Sequence, residues 1–245
     1  MGELLAVLSG KGGTGKTTVC AGLAYALALE GKRVLCIDCD VGLQNLDIAL
    51  GISDYGAISF WDVCSGSYDL EMSLRHPSCA TLRFLTAPMH FDQVDPEKFR
   101  RLLYQARKKF DYVFLDAPAG IEAGFSLAAR YVDRILLVTG PDPAAIRDAA
   151  KAGQILTAMG KDNIRLIVNR VSRRLSTAMK LTVDDIMDTA ALPLLGIIPE
   201  DPNVILAAAG RKPLLACAKK GAASACRRIA RRLQGIPQPI PAREF

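Results

Sequence analysis

The sequence predicts an α/β fold in which a mostly parallel central sheet is flanked by helices on both faces. Three observations carry that prediction. Apolar, β-branched runs alternate with helix-period patterns almost from end to end of the 245 residues. A glycine-rich loop, Gly10-Lys11-Gly12-Gly13-Thr14-Gly15-Lys16-Thr17-Thr18, joins the first apolar run to the first helical pattern. Two of the runs end in acidic residues, Asp38 and Asp40 after one and Asp116 after another. Apolar strands linked by helices call for parallel pairing under two helical layers. Right-handed crossovers then bring the connecting loops to the carboxyl edge of the sheet.

Each element has its own signal. Leu4 to Leu8 reads as the first strand. Lys16 to Glu30 reads as a helix, with Ala21, Leu23, Ala24, Ala26 and Leu27 giving a broad apolar face, and Gly31 stands where a helix stops. Arg33 to Ile37 is the second strand. Further strands read at Leu82 to Leu85, Tyr112 to Leu115, Arg134 to Val138, Ile164 to Val168 and Leu194 to Ile198. Helical patterns lie between them at Pro96 to Lys109, Pro143 to Met159 and Val183 to Ala190, and Leu214 to Leu233 reads as one final helix. In the stretch 235–241 three prolines remove donors and fix φ, which rules out a helix there. The expected organisation is one domain over residues 1–234 and a Pro-rich tail over 235–245.

Composition narrows the class. Half of the residues are apolar, enough for a buried core without staples. The longest apolar stretches, such as Ile135 to Val138, are far short of the ~20 residues of a spanning helix. Met1-Gly2-Glu3 has no basic region of a signal peptide, and Ala6 stands where a myristoylation motif wants Ser or Thr. A cytoplasmic protein is expected. The seven cysteines fit reduced thiols. Cys36 and Cys39 form a C-x-x-C with no second pair at metal spacing, and the chain has two histidines, His76 and His90. The net charge of +6 is modest, but Arg227, Arg228, Arg231 and Arg232 cluster, as do Arg170, Arg173, Arg174 and Lys180. Each cluster reads either as a solvated helix face or as a surface for the phosphates of nucleic acid or lipid.

The chemistry lies in the glycine loop. Gly10-x-x-x-x-Gly15-Lys16-Thr17 matches the P-loop pattern between a predicted strand and a predicted helix, the context that gives the pattern its meaning. Glycines let successive backbone N–H groups turn toward phosphates, and the helix start adds its positive end. Lys16 is expected on the β- and γ-phosphates of ATP and the Thr17 hydroxyl on Mg²⁺. The fold class becomes a three-layer P-loop NTPase. Asp38 and Asp40, at i and i+2, would point the same way from a strand end. Asp40 is placed to orient or deprotonate an attacking water, and Asp38 to hold a water on Mg²⁺. Asp116 ends a strand where a Walker B aspartate would hold the metal through water. Loop capping is the plainer role for all three acids.

The loop K-G-G-T-G-K-T-T, with Lys11 directly after Gly10, resembles the deviant Walker A loop of the MinD/ParA superfamily of ATPases. The resemblance extends along the chain from about residue 3 to about 233. Cys36 to Asp47, with Gly42-Leu43-Gln44-Asn45-Leu46-Asp47, looks like the first switch stretch of the MinD branch. Asp116-Ala117-Pro118-Ala119-Gly120-Ile121-Glu122 looks like its second, and Ile198-Pro199-Glu200-Asp201 is similar to a further segment. Asn169-Arg170 is similar to the Asn-Arg pair that contacts adenine. The resemblance implies nucleotide contacts from Gly10 through Thr18 and from Asn169, Arg170, Pro199, Glu200 and Asp201.

It also implies a cycle. An ATP-sandwich homodimer forms, with Lys11 reaching the partner's nucleotide; added charge within its own subunit is the local alternative for Lys11. A MinC-like inhibitor and a MinE-like activator are recruited at the division site, and slow, partner-stimulated hydrolysis releases the monomer. The place of action would be the cytoplasm or the cytoplasmic face of the inner membrane. Members of the branch usually continue into a C-terminal amphipathic membrane helix, and none is legible after the proline tail. Weak association with anionic membrane is therefore expected. A ParA-type DNA partition ATPase and a flagellar positioning adaptor are the alternatives.

Overall fold

The computed structural model describes residues 1–41, 44–89, 94–179 and 181–240. In chain order the elements are β1 (Glu3–Leu8), α1 (Lys16–Leu29), β2 (Val34–Asp38), α2 (Leu46–Leu50), α3 (Phe60–Cys64), a 3₁₀ turn (Leu70–Met72), β3 (Leu74–His76) and β4 (Cys79–Leu85). They continue with α4 (Pro96–Lys109), β5 (Tyr112–Asp116), α5 (Ala123–Arg130), β6 (Arg134–Thr139), α6 (Pro143–Ala158), β7 (Ile164–Val171) and α7 (Arg173–Met179). The last are α8 (Val183–Ala190), β8 (Leu194–Pro199), α9 (Asn203–Ala209), α10 (Leu214–Cys217) and α11 (Gly221–Leu233). The sheet has eight strands in the order β3-β4-β2-β5-β1-β6-β7-β8. Every neighbouring pair is parallel except the edge pair β3–β4.

The three layers come from strands buried on both faces. On β1, Leu5 and Val7 join the core shared with α1, α2, α10 and α11. Leu4, Ala6 and Leu8 join the opposite core, shared with α3, α4, α5 and α6. Such strands read as unbroken apolar runs because neither face meets water. A smaller core under α8 closes the β7–β8 side. Helices α4 and α6 start in the same way. Asp95 and Asp142 accept N–H bonds from the first turn, and Pro96 and Pro143 occupy its start.

The expected strands and long helices are all present, the fourth strand running three residues further toward the N-terminus. The expected final helix is corrected: it is two, α10 and α11, with Ala218 extended between them. Gly221 opens α11 at a φ of 58°, and the Asp201 carboxylate accepts the Ala222 N–H at 3.0 Å. A cap from 21 residues away, which helix periodicity does not reveal, sets the break. The apolar face of α11 (Ala222, Cys226, Ile229, Leu233) is buried against α1 and β8, so it is not offered to lipid. Its arginines bind the protein itself. Arg227 donates to the Leu215 carbonyl, Arg228 to Ser224, Arg231 to Glu30, and Arg232 to the Leu195 and Gln238 carbonyls. In the other basic cluster, Lys180 and the side chain of Arg173 lie outside the described residues, as do His90, Gly42, Leu43 and the last five residues.

His76 ties the edge hairpin to the helix beyond β2. Its Nε2–H donates to the Leu50 carbonyl at 2.8 Å, while Nδ1 accepts the Ser78 N–H at 3.2 Å. Accepting at Nδ1 requires the neutral ring, and burial holds its pKa below the usual histidine value. The unfolded chain therefore binds this proton first, and stability is lost as pH falls below about 6.5. Asp38, raised to about 7, works in the opposite direction over the same window. Melting temperatures at pH 7.5 and 5.5 should thus show a relative acid loss in the wild type that His76→Gln lacks. An identical pH response in both proteins would remove His76 from the account.

Candidate active site

The loop from β1 to α1 builds its site from backbone. Gly13 and Gly15 take φ of 81° and 84°, the left-handed region that side chains avoid. Gly15 caps α1 without any side-chain acceptor, and the first turn holds no acid. The N–H groups there stay free for an anion, with the helix dipole behind them. A Cβ on Gly15 would also stand 2.3 Å from Nδ2 of Asn169. Gly10 lies against the backbone of α6 at Asp148, which places it as packing under the loop.

Beneath the loop sits a buried ion pair. Nζ of Lys16 is 2.7 Å from Oδ1 of Asp116 and 3.2 Å from the Thr17 hydroxyl, with Lys16 5% and Asp116 1% exposed. Parallel pairing sets Asp116 beside Val7 on one strand and Asp38 on the other. Burial pushes the Asp116 carboxyl up, against the pull of Lys16. Its second oxygen is buried without a hydrogen-bond partner among the described residues, as are the hydroxyls of Ser9 and Thr14. Unsatisfied oxygens beside Thr17 at a phosphate loop are a donor set suited to hydrated Mg²⁺, a hard cation that takes oxygen ligands.

The two acids after β2 part company. Asp38 still belongs to the strand and is sealed in, its oxygens accepting the N–H groups of Asp40 (2.8 Å) and Leu46 (3.2 Å). Burial, and then the Asp116 carboxylate, push it up to about 7. Asp40 lies beyond the strand end and lines the cavity. Both acids feel the Lys16 ammonium, so they share its neighbourhood, although Asp38 is sealed and Asp40 reaches the cavity. Asp38 pins the turn that carries Asp40, each of its oxygens accepting one backbone N–H.

Two cavities meet at the start of α1. One, of about 430 Å³, runs past Gly12 through Thr18 and is walled by Ser9, Asp40, Asn45, Ala119, Arg170 and Lys212. The other, of about 350 Å³, lies between Gly15, Thr18, Asn169, Arg170 and Pro199 through Asp201. Gly15, Thr18 and Arg170 line both, so the two form one bent groove. Phosphates suit the first arm and a base the second.

Within the base arm, Asn169 is a brace. Its amide donates to the Thr14 carbonyl at 2.7 Å. Asp201 is committed as well, to Asn203 and to the start of α11. Glu200 is exposed. Arg170, exposed at a φ of 59°, stands at the junction of the arms. Lys11 lines neither cavity. Its Nζ stands 3.5 Å from Asp142, both side chains about half exposed, a geometry that contributes little. Sequence reasoning gave no role to Ser9, Asn45 or Lys212. Asn45 was inside a quoted stretch, whereas Lys212 sits between two short helices with no motif to mark it. Cys36 and Cys39 are buried free thiols. No group of three or more His, Cys, Asp or Glu side chains suited to a metal occurs among the described residues.

Comparison with known proteins bears on this groove. The family model described as the CobQ/CobB/MinD/ParA nucleotide binding domain matches residues 5–214. The septum site-determining protein MinD of Synechocystis sp. is 38% identical over 250 residues, covering 100% of this chain and 93% of that protein. MinD of Bacillus subtilis is 36% identical, covering 98% and 92%. Among solved structures, the MinC:MinD cell division protein complex of Aquifex aeolicus contains a chain that matches with a TM-score of 0.91 at 36% identity, over 97% of this chain and 98% of that one. The septum site-determining protein MinD of Pyrococcus horikoshii, complexed with Mg-ADP, matches with a TM-score of 0.83 at 30% identity, over 95% and 96%.

Proposed function

The chain belongs to the MinD branch of the CobQ/CobB/MinD/ParA nucleotide-binding family, and from that premise we propose that it works as a switch that dimerises around Mg-ATP and separates after hydrolysis. At the level of the family it is a septum-site-determining ATPase that binds nucleotide and Mg²⁺. The dimer, the residue roles and the partners are the proposal.

The observation that carries it is the contrast between the two loop lysines. Lys16 is buried under its own loop, and Lys11 stands outside its own cavities on a weak exposed contact. A lysine so placed is available to phosphates held by a second copy. A γ-phosphate contacted from both subunits makes dimer stability depend on its presence, so hydrolysis becomes a timed release.

Each side chain then has a task. To meet the β- and γ-phosphates Lys16 must leave Asp116, and that carboxylate, through water, and the Thr17 hydroxyl are the groups that would hold Mg²⁺. Mg²⁺, when bound, neutralises charge developing on the phosphate oxygens. Asp40 orients or deprotonates the attacking water, and Asp38 keeps its turn in place. Arg170 and Pro199 face the base, with Asn169 and Asp201 shaping the pocket and Glu200 at its rim.

The partners follow by kinship. The Aquifex protein is complexed with MinC, and a MinC-like inhibitor is proposed here, with a MinE-like activator. Their place of action is the cytoplasm, or weakly the cytoplasmic face of the inner membrane. No helix among the described residues is long and apolar enough to cross a membrane.

Sizing with light scattering tests the reading. With ATP and Mg²⁺ the protein should run as a dimer, and with ADP as a monomer. Lys11→Ala should still bind ATP but stay monomeric. A Lys11→Ala protein that dimerises normally with ATP would falsify the role across the interface.

A further inference from the structure

At the opposite end of the strands from the nucleotide groove lies a second concentration of positive charge. Arg75 on β3 and Arg83 on β4 are directly paired across the antiparallel edge. With Arg33 before β2 and Lys109 at the end of α4 they line a depression of about 270 Å³, and Glu71 is the one acid in its wall. Like charges directly opposite on a strand pair destabilise a sheet. Here one member is also half-buried: burial, and then Arg75, hold the Arg83 pKa below its usual value.

The arrangement is ordered. Nη1 of Arg83 donates to the carbonyls of Glu71 (2.5 Å) and Ser73 (3.0 Å), which aims the guanidinium and leaves Nε and Nη2 without partners among the described residues. Arg33 is held by Asp111 at 2.7 Å. Lys109 pairs with Glu71. The Arg75 side chain is exposed and makes no hydrogen bond or ion pair among the described residues. Charge on an edge strand also blocks strand addition. That purpose is met by Arg75 alone and does not explain a second arginine, partly desolvated and fixed by two carbonyls, beside two further cations in one concavity.

We propose that this depression binds a phosphate-bearing anion, with Arg75 and Arg83 as its principal donors and Arg33 and Lys109 as flanking charge. Planar guanidinium groups match phosphate oxygens with paired, charge-assisted hydrogen bonds. The anion would relieve the Arg75–Arg83 repulsion that the fold otherwise bears. A soluble phosphate and a lipid headgroup present the same chemistry.

The test uses the full chain with ADP saturating the nucleotide groove. Inorganic phosphate is titrated while backbone amide shifts are followed, and sedimentation is measured with phosphatidylglycerol and with phosphatidylcholine vesicles at low and physiological salt. Arg75→Gln removes an exposed side chain without internal bonds, so its fold should be unchanged, and Arg231→Gln on α11 is the control. Phosphate-dependent shifts at Arg75, Arg83 and Lys109 that weaken about tenfold in Arg75→Gln, the scale of one charge-assisted bond, would identify a soluble phosphate site. Salt-sensitive sedimentation with phosphatidylglycerol alone, lost in Arg75→Gln and kept in Arg231→Gln, would identify a headgroup site. Absence of both signals overturns the proposal, as does binding that Arg75→Gln leaves unchanged. Wild-type ADP affinity in Arg75→Gln would keep either outcome separate from the nucleotide site.

Discussion

Lys16→Ala is expected to weaken ATP binding by at least about thirtyfold, since losing one partner of a buried, hydrogen-bonded charge pair costs roughly 2–5 kcal/mol. The same change should destabilise the protein without nucleotide. Asp116 would be left 1% exposed with no cation beside it, and an uncompensated buried charge costs about 3–5 kcal/mol. Part of that loss is escaped by protonation, because burial already raises the Asp116 carboxyl. The two effects separate in the double variant Lys16→Ala/Asp116→Asn, which removes the buried charge but restores no phosphate cation. It should regain much of the stability and none of the affinity. Urea unfolding and fluorescent-nucleotide titration read the two quantities. Lys16→Ala binding ATP within about threefold of wild type would place the main phosphate cation elsewhere, with Lys212 as the next candidate in the cavity wall.

Asp40→Ala should do the reverse, keeping ATP and losing its turnover. General-base or water-orienting groups contribute typically ~10²–10⁴-fold, so the hydrolysis rate, measured with any activating partner, should fall by about that factor while ATP affinity stays within roughly threefold. The dimer should then persist with ATP for as long as nucleotide is supplied. Asp38→Ala should behave differently. Asp38 holds the N–H groups of Asp40 and Leu46, so its loss loosens the turn and lowers affinity and turnover together. If Asp40→Ala hydrolyses ATP at the wild-type rate, the water-handling role is wrong. If the Asp38 and Asp40 variants are indistinguishable, the division of labour read from their burial is wrong.

Much of this site is legible in the sequence because its pieces are local. The loop from Gly10 to Thr18 is contiguous, and its glycines and lysines report backbone turns and phosphate charge through spacing alone. Strands buried on both faces leave unbroken apolar runs, so β1, β2, β5, β6, β7 and β8 stand out, and Asp116 is found by ending one of them. The short edge strand β3 and the short helices α2, α3, α5, α7 and α9 were not legible, because a few residues carry too little periodicity to mark an element.

What the tertiary structure alone decided are the contacts between distant stretches. Asn169 braces a loop 155 residues away, and Asp201 caps α11 and splits an otherwise helical pattern. Asp38 and Asp40 share a motif but differ in burial, one sealed within the strand and one in the cavity wall. The arginines of α11 read as a basic surface and are in fact bonded to Leu215, Ser224, Glu30 and Leu195. Arg33, Arg75, Arg83 and Lys109 read as scattered charges and are gathered into one depression. Sequence periodicity reports which face of an element is buried, because that depends on neighbours three or four positions away. Which partner a polar side chain meets depends on how strands far apart in the chain are laid side by side, and only the assembled sheet determines that.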